Sequence, residues 1–153
     1  MKKIVISLGG SVMVPSLESN NISRYVSVLE RIAEKCRIFI VVGGGGEARR
    51  YIRVARDLGA GEAMADELGI MVTRLNARLL VTGLGDAAYP RVAENYTEAR
   101  EFAGTGKIVV MGGITPAQTT DAVSAVLAES VGADLLINAT SVDGIYSADP
   151  KKD

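Results

Sequence analysis

Three observations predict an α/β protein, a three-layer αβα sandwich with a mainly parallel sheet. Short runs rich in Val and Ile alternate with stretches of helical periodicity. The strand-like runs are apolar on both faces, as parallel strands buried between helix layers are. Each run also empties into a polar or glycine-rich loop. No internal repeat, low-complexity tract or linker divides the 153 residues, so residues 1–153 are expected to form a single domain.

The elements follow in order. "KIVISLG" reads as a first strand, and "NISRYVSVLERIAEKC" as a helix with Ile22, Val26, Leu29 and Ala33 on one face. "RIFIVV" is a second strand, followed by the helix "EARRYIRVARDLG", which Gly59 closes. "GEAMADELGIMVTRLNARLLVTGLG" is a longer helical stretch, expected to break or bend near Gly69. "KIVVMGG" is a third strand, "TTDAVSAVLAESVG" a helix opened by threonines and an aspartate, and "ADLLINAT" a fourth strand. "SVDGIYSADPKKD" then runs into a polar turn without a closing helix, which reads either as a short tail or as a C-terminally incomplete domain.

Composition narrows the function. Seventeen basic and eighteen acidic side chains nearly cancel, so no polyanion-binding surface and no nucleic-acid partner is expected. The longest apolar runs are too short to cross a bilayer, and "MKKIVISLGG" enters a strand without a signal-peptide cleavage site. The lone Cys36 reads as a small apolar residue, suits a reducing compartment and so points to the cytoplasm. Histidine is absent. That removes Ser-His-Asp and Cys-His catalysis, histidine bases and most zinc sites. Carboxylates, Lys, Arg, hydroxyls, backbone amides or a soluble metal complex must do any chemistry.

The four strand-end loops are "GGSV", "GGGGE", "GGITPAQTTD" and "ATSVDG". In open parallel sheets ligands bind beyond the carboxyl ends of the strands, where glycines let backbone N–H groups reach phosphate oxygens. Gly43, Gly45 and Ala48 satisfy G-x-G-x-x-A, but a dinucleotide site also needs an acidic residue ending a strand about 20 positions on. Here that region, "GEAMADELG", reads as helix. No G-x-x-x-x-G-K-[ST] exists, so the lysine-bearing P-loop is absent as well.

A mononucleotide site remains. Arg49 lies one turn into the helix after the glycines, within reach of a phosphate. Arg50, Arg53 and Arg56 read as a solvated face. Asp66, in the otherwise apolar "AMADELGIM", is either a surface carboxylate or a ligand group. Capping explains one hydroxyl of Thr119 and Thr120. Asp121, favoured as the anion at a helix N-terminus, is placed to orient a cationic side chain or a metal–nucleotide complex. Asp143, Gly144 and Asp149 read first as turn residues.

Together "ISLGGSVMVP", "VVGGGGEARRYI", "MADELGIMVTRLNARLL", "VMGGITPAQTTDAVSAVLAE" and "LLINATSVDGIYSADPKKD" resemble the amino acid kinase family, and within it the archaeal uridylate (UMP) kinases, in order and spacing. "TTDAV" and "VDGIYSADP" are the specific segments; the glycine loops alone are not. The resemblance implies phosphorylation of UMP to UDP by ATP in pyrimidine nucleotide synthesis, with Mg²⁺ travelling with ATP and no protein metal ligand. It implies that Gly9 and Gly10 cradle ATP phosphates, that Gly44 faces UMP, and that Gly45 and Arg49 lie near the transferring phosphoryl group. Asp66 would hold the UMP ribose. The loop of Ile114, Thr115, Pro116, Ala117, Gln118, Thr119 and Thr120 would wrap the uridine and its phosphate. Asp121 would organise the cationic groups, and Thr140, Tyr146 and Asp149 would touch the ATP base and ribose. The partners implied are ATP and UMP, in a homo-oligomer, by resemblance a hexamer built through early helices such as Ile22–Cys36.

Much of the family has a lysine where this chain has Ser7, and Gly46 supplies no cation in its place. Family members also continue past "ADPKKD", so the chain is expected to hold the phosphoryl-acceptor part and only the start of the ATP-binding part. The alternatives are a kinase of another small acceptor (acetylglutamate, carbamate, aspartate or isopentenyl phosphate) and a non-catalytic nucleotide- or oxyanion-binding protein on the same fold.

Overall fold

A computed structural model describes residues 1–144 and 146–152. β1 (Lys2–Leu8) leads through a single helical turn, α1 (Gly10–Met13), to α2 (Ile22–Ala33) and β2 (Cys36–Val42). α3 (Gly45–Asp57) and α4 (Glu62–Leu84) follow, then α5 (Tyr96–Ala103), β3 (Val109–Met111), α6 (Thr120–Val131) and β4 (Leu135–Ala139). The strands lie in the order β3-β2-β1-β4, and every pairing is parallel. All four carboxyl ends therefore share one edge of the sheet.

Alternation along the strands builds a core on each face. Ile6, Leu8, Ile38, Ile40, Val42 and Val110 pack with Leu29 of α2 and with Ala77, Leu80, Val81 and Leu84 of α4. Val5, Phe39, Val41, Val109 and Met111 pack with Ala99 and Phe102 of α5 and with Val123, Leu127 and Val131 of α6. This is the expected αβα sandwich. Two-sided burial holds for β1, β2 and β3 but not for β4, whose Leu135, Leu136 and Ile137 are exposed. β3 and β4 are the two edge strands, but β3 is covered by α4 and α5, whereas β4 packs chiefly on β1 and α6.

Two elements depart from the sequence reading. α4 runs unbroken through Gly69 for 23 residues. A Cβ at Gly69 would lie 2.8 Å from Ile52 Cδ1, so this glycine makes room for α3 to ride on α4 and does not break the helix. α5 was not anticipated, although Asn95 caps it by accepting from Glu98 N–H, and Glu98 Oε2 accepts from Glu94 N–H in return. That reciprocal pair is legible as N-x-x-E. Among the described residues no helix is long and apolar enough to cross a membrane.

Candidate functional site

At the carboxyl edge of the sheet the first two loops touch backbone to backbone. A Cβ on Gly10 would lie 2.5 Å from the carbonyl oxygen of Gly43, and one on Gly45 would lie 2.7 Å from Ser11 N. Gly45 also sits at φ +62°, in the left-handed region. These glycines let the loops after β1 and β2 close on each other, a packing role beside any phosphate contact. Asn76, buried on α4, donates from Nδ2 to Gly43 O at 3.0 Å and so anchors the glycine loop from below.

Beside this contact lies a cavity of about 420 Å³. Gly44, Asp66, Thr115, Pro116, Ala117, Gln118, Thr119 and Thr120, from three separate stretches of sequence, all line it. Ile114 does not; it packs on the core beneath. Ala48, Ile52, Gly69, Ile70, Thr73 and Gly113 complete the wall. The sequence reading assigns none of these six to the acceptor site: Ala48 enters only the dinucleotide pattern, Gly113 only its loop and Gly69 only as a helix break, while Ile52, Ile70 and Thr73 look like ordinary helix residues. One signal was present: Thr73 and Asn76 are polar positions on the buried face of a helix. Thr73 accounts for its own burial, since its Oγ1 accepts from Gly113 N–H at 2.7 Å and donates to Ile70 O at 2.6 Å. It ties the loop after β3 to α4.

Asp66 reaches the loop from the opposite wall, its Oδ2 accepting from the backbone N–H of Ala117 at 2.9 Å. Ala117 holds φ 62°, the only positive φ outside glycine among the described residues. The surface-carboxylate reading of Asp66 therefore gives way to that of a cavity residue bridging α4 and the loop. Thr119 caps α6 by accepting from Ala122 N–H at 3.1 Å.

Asp121, in the first turn of α6, accepts from the buried Ser7 hydroxyl on β1, Oγ to Oδ1 at 2.7 Å. Its Oδ2 has no hydrogen-bond partner among the described residues. Of the three α3 arginines read as a solvated face, two form ion pairs and Arg53 forms none among the described residues. Arg50 pairs with Glu47, and Arg56 with Glu62 at the start of α4. Hydrogen bonds from Arg56 hold the Glu62 carboxyl below its ordinary range, and those to Glu62 raise the Arg56 guanidinium. Arg49 has no ion-pair partner among the described residues and lies over Gly46, its Nη2 3.9 Å from where a Cβ would stand.

The structure brings Thr140 beside Gly9, whose N–H donates to Ala139 O at 2.9 Å. Tyr146 and Asp149 are not part of the cavity. Both are exposed beyond β4, and Asp149 Oδ1 accepts from Lys151 N–H at 3.0 Å, in keeping with its turn reading.

The amino acid kinase family model matches residues 2–153. A uridylate kinase of Methanoculleus marisnigri is 88% identical over 153 residues, covering 100% of this chain and 65% of that protein. One from Methanospirillum hungatei is 66% identical with the same coverage. The crystal structure of uridylate kinase from Archaeoglobus fulgidus superposes with a TM-score of 0.89 at 48% identity, covering 100% of this chain and 69% of that one. The chain thus spans just under two thirds of the length of the first two relatives.

Proposed function

The chain belongs to the amino acid kinase family, and on that premise we propose that it carries the phosphoryl-acceptor part, and the start of the ATP-binding part, of an enzyme converting UMP to UDP with ATP. The observation that carries this reading is the convergence of Gly44, Asp66 and residues 115–120 on one cavity beside the glycine loops. The names of its relatives support the choice of acceptor.

In the proposed reaction a UMP phosphate oxygen attacks the γ-phosphorus of ATP, the bond from that phosphorus to the bridging oxygen breaks, and ADP leaves. The acceptor is already an anion, so no histidine base is needed; the protein has to position two polyanions and offset their repulsion. Asp66 and residues 115–120 hold UMP, with Gly44 against it and Ile114 anchoring the loop on the core beneath. Gly10 and Gly45 present backbone N–H groups to ATP phosphates, Gly9, whose own N–H is taken by Ala139 O, lets the chain approach them closely, and Arg49 spans the two at the transferring group. Thr140, Tyr146 and Asp149 are assigned to the ATP base and ribose. Mg²⁺ arriving with ATP would supply further charge neutralisation. The unpartnered Oδ2 of Asp121 suits a cation at that point, and Ser7 holds the carboxylate in place.

A cytoplasmic location goes with these soluble substrates. We also propose a homo-oligomer. α2 is not its obvious interface, because Ile22, Tyr25, Val26, Leu29 and Ile32 pack into the core. The uncovered apolar surface lies on α3 and α4, where Tyr51, Val54, Leu58, Met64, Met71 and Leu75 are exposed.

Calorimetric titration of the folded chain with UMP, with NADH as control, tests the acceptor site. Binding of UMP that is lost in Asp66→Ala is expected. A folded chain that ignores UMP would overturn the reading, and one that takes NADH instead would restore the dinucleotide alternative.

A further inference from the structure

The opposite, amino-terminal edge of the sheet carries a second cavity, of about 310 Å³, lined by Lys3, Arg37, Phe39, Arg100, Ser130 and Val131 among others. Lys3 and Arg37 are register partners on β1 and β2 and lie on the face that carries Val5 and Phe39. Like charges directly opposite each other on paired strands are destabilising. Arg100 of α5 adds a third cation. None of the three forms an ion pair among the described residues.

Local hydrogen bonds account for only part of this charge. Lys3 Nζ donates to Val131 O at 2.7 Å, and Arg100 donates to Ser130 Oγ at 2.7 Å and to Thr97 Oγ1 at 3.2 Å. Arg37 has no partner among the described residues. The carboxyl ends of α5 and α6 also line the space. Each is equivalent to roughly half a negative charge, and the Asp134 carboxylate, which accepts from Lys3 N–H at 2.8 Å, brings the negative side to about two against three positive groups. An ammonium offers three donors and a guanidinium five, so most donors here are unused. Ser130 and Thr97 fix the Arg100 guanidinium, which reduces the entropy lost when an anion is gripped.

We propose that this cavity is a binding site for a phosphate group, free or as a small phosphate ester, held by Lys3, Arg37 and Arg100. It is separate from the glycine-loop site, because it lies at the other ends of the strands. β1 and α6, which reach it through Lys3 and Val131, also carry Ser7 and Asp121, so an anion here braces the two elements that meet at the proposed reaction centre.

The test is titration of the whole chain with inorganic phosphate and with glycerol 3-phosphate, followed by amide NMR shifts. Both probes are expected to move the amides of Lys3, Arg37, Gly104 and Ser130. Stronger binding of the ester would mean that the cavity also holds the organic body; equal binding, that it reads the phosphate alone. Arg37→Ala should weaken affinity about tenfold, the loss of one charge-assisted contact. Arg49→Ala should leave these shifts unchanged. Should Arg37→Ala give a poorly dispersed spectrum, Arg100→Gln makes the same comparison. Shifts confined to the Gly44–Arg49 region, no shifts up to tens of millimolar phosphate, or affinity unchanged in the folded variants would each overturn the proposal, whatever the outcome with UMP.

Discussion

Ser7 donates its hydroxyl to Asp121 across the gap between β1 and α6, Oγ to Oδ1 at 2.7 Å. A small neutral donor holds the aspartate here. Ser7→Ala removes the donor but leaves Asp121, which is exposed, to water. The expected cost is about 1 kcal/mol. It should appear as a lower urea midpoint with an unchanged slope.

Gly45 should tolerate substitution far less well. Alanine there meets both a left-handed backbone and Ser11 N at 2.7 Å. A loss of about 2 kcal/mol or more is expected in thermal unfolding, because neither loop can move without parting the contact at Gly10.

Ala117 gives the opposite sign. Its left-handed conformation costs an alanine roughly 1 kcal/mol, and glycine recovers this less the entropy glycine loses on folding. Ala117→Gly should therefore stabilise by about 0.5 kcal/mol. Asp66→Ala, which removes the acceptor of the Ala117 N–H, should speed hydrogen exchange at that amide about tenfold or more. Unchanged exchange would mean that the loop holds itself.

Thr73 ties the loop after β3 to α4 through the buried Gly113 N–H. Thr73→Val preserves the shape and strands that donor, costing about 2 kcal/mol in chemical denaturation, whereas Thr73→Ser should stay close to wild type.

The exposed stripe on α4 predicts association. Met71→Glu with Leu75→Glu should convert oligomer to monomer in sedimentation velocity without unfolding it, because both side chains are more than 60% exposed in the single chain. A wild-type chain that sediments as a monomer would refute the interface.

The fold class was legible in the residues alone, because two-sided apolar strands alternating with amphipathic helices have few other ways to bury themselves, and β1, β2 and β3 are covered on both faces as that pattern requires. The sequence also determined that the polar loops meet, since parallel strands bring their carboxyl ends to one edge. Three matters were left to the tertiary structure. The role of Gly69 depends on Ile52 of another helix, and periodicity along α4 cannot register that contact. Asp66 became a cavity residue through its bond to Ala117, 51 positions away, and Ser7 found Asp121 across 114. Pairings so distant follow from strand order and helix placement, and β4 lies exposed at the sheet edge for the same reason: local patterning sets which side chains are apolar, while topology decides which of them are covered.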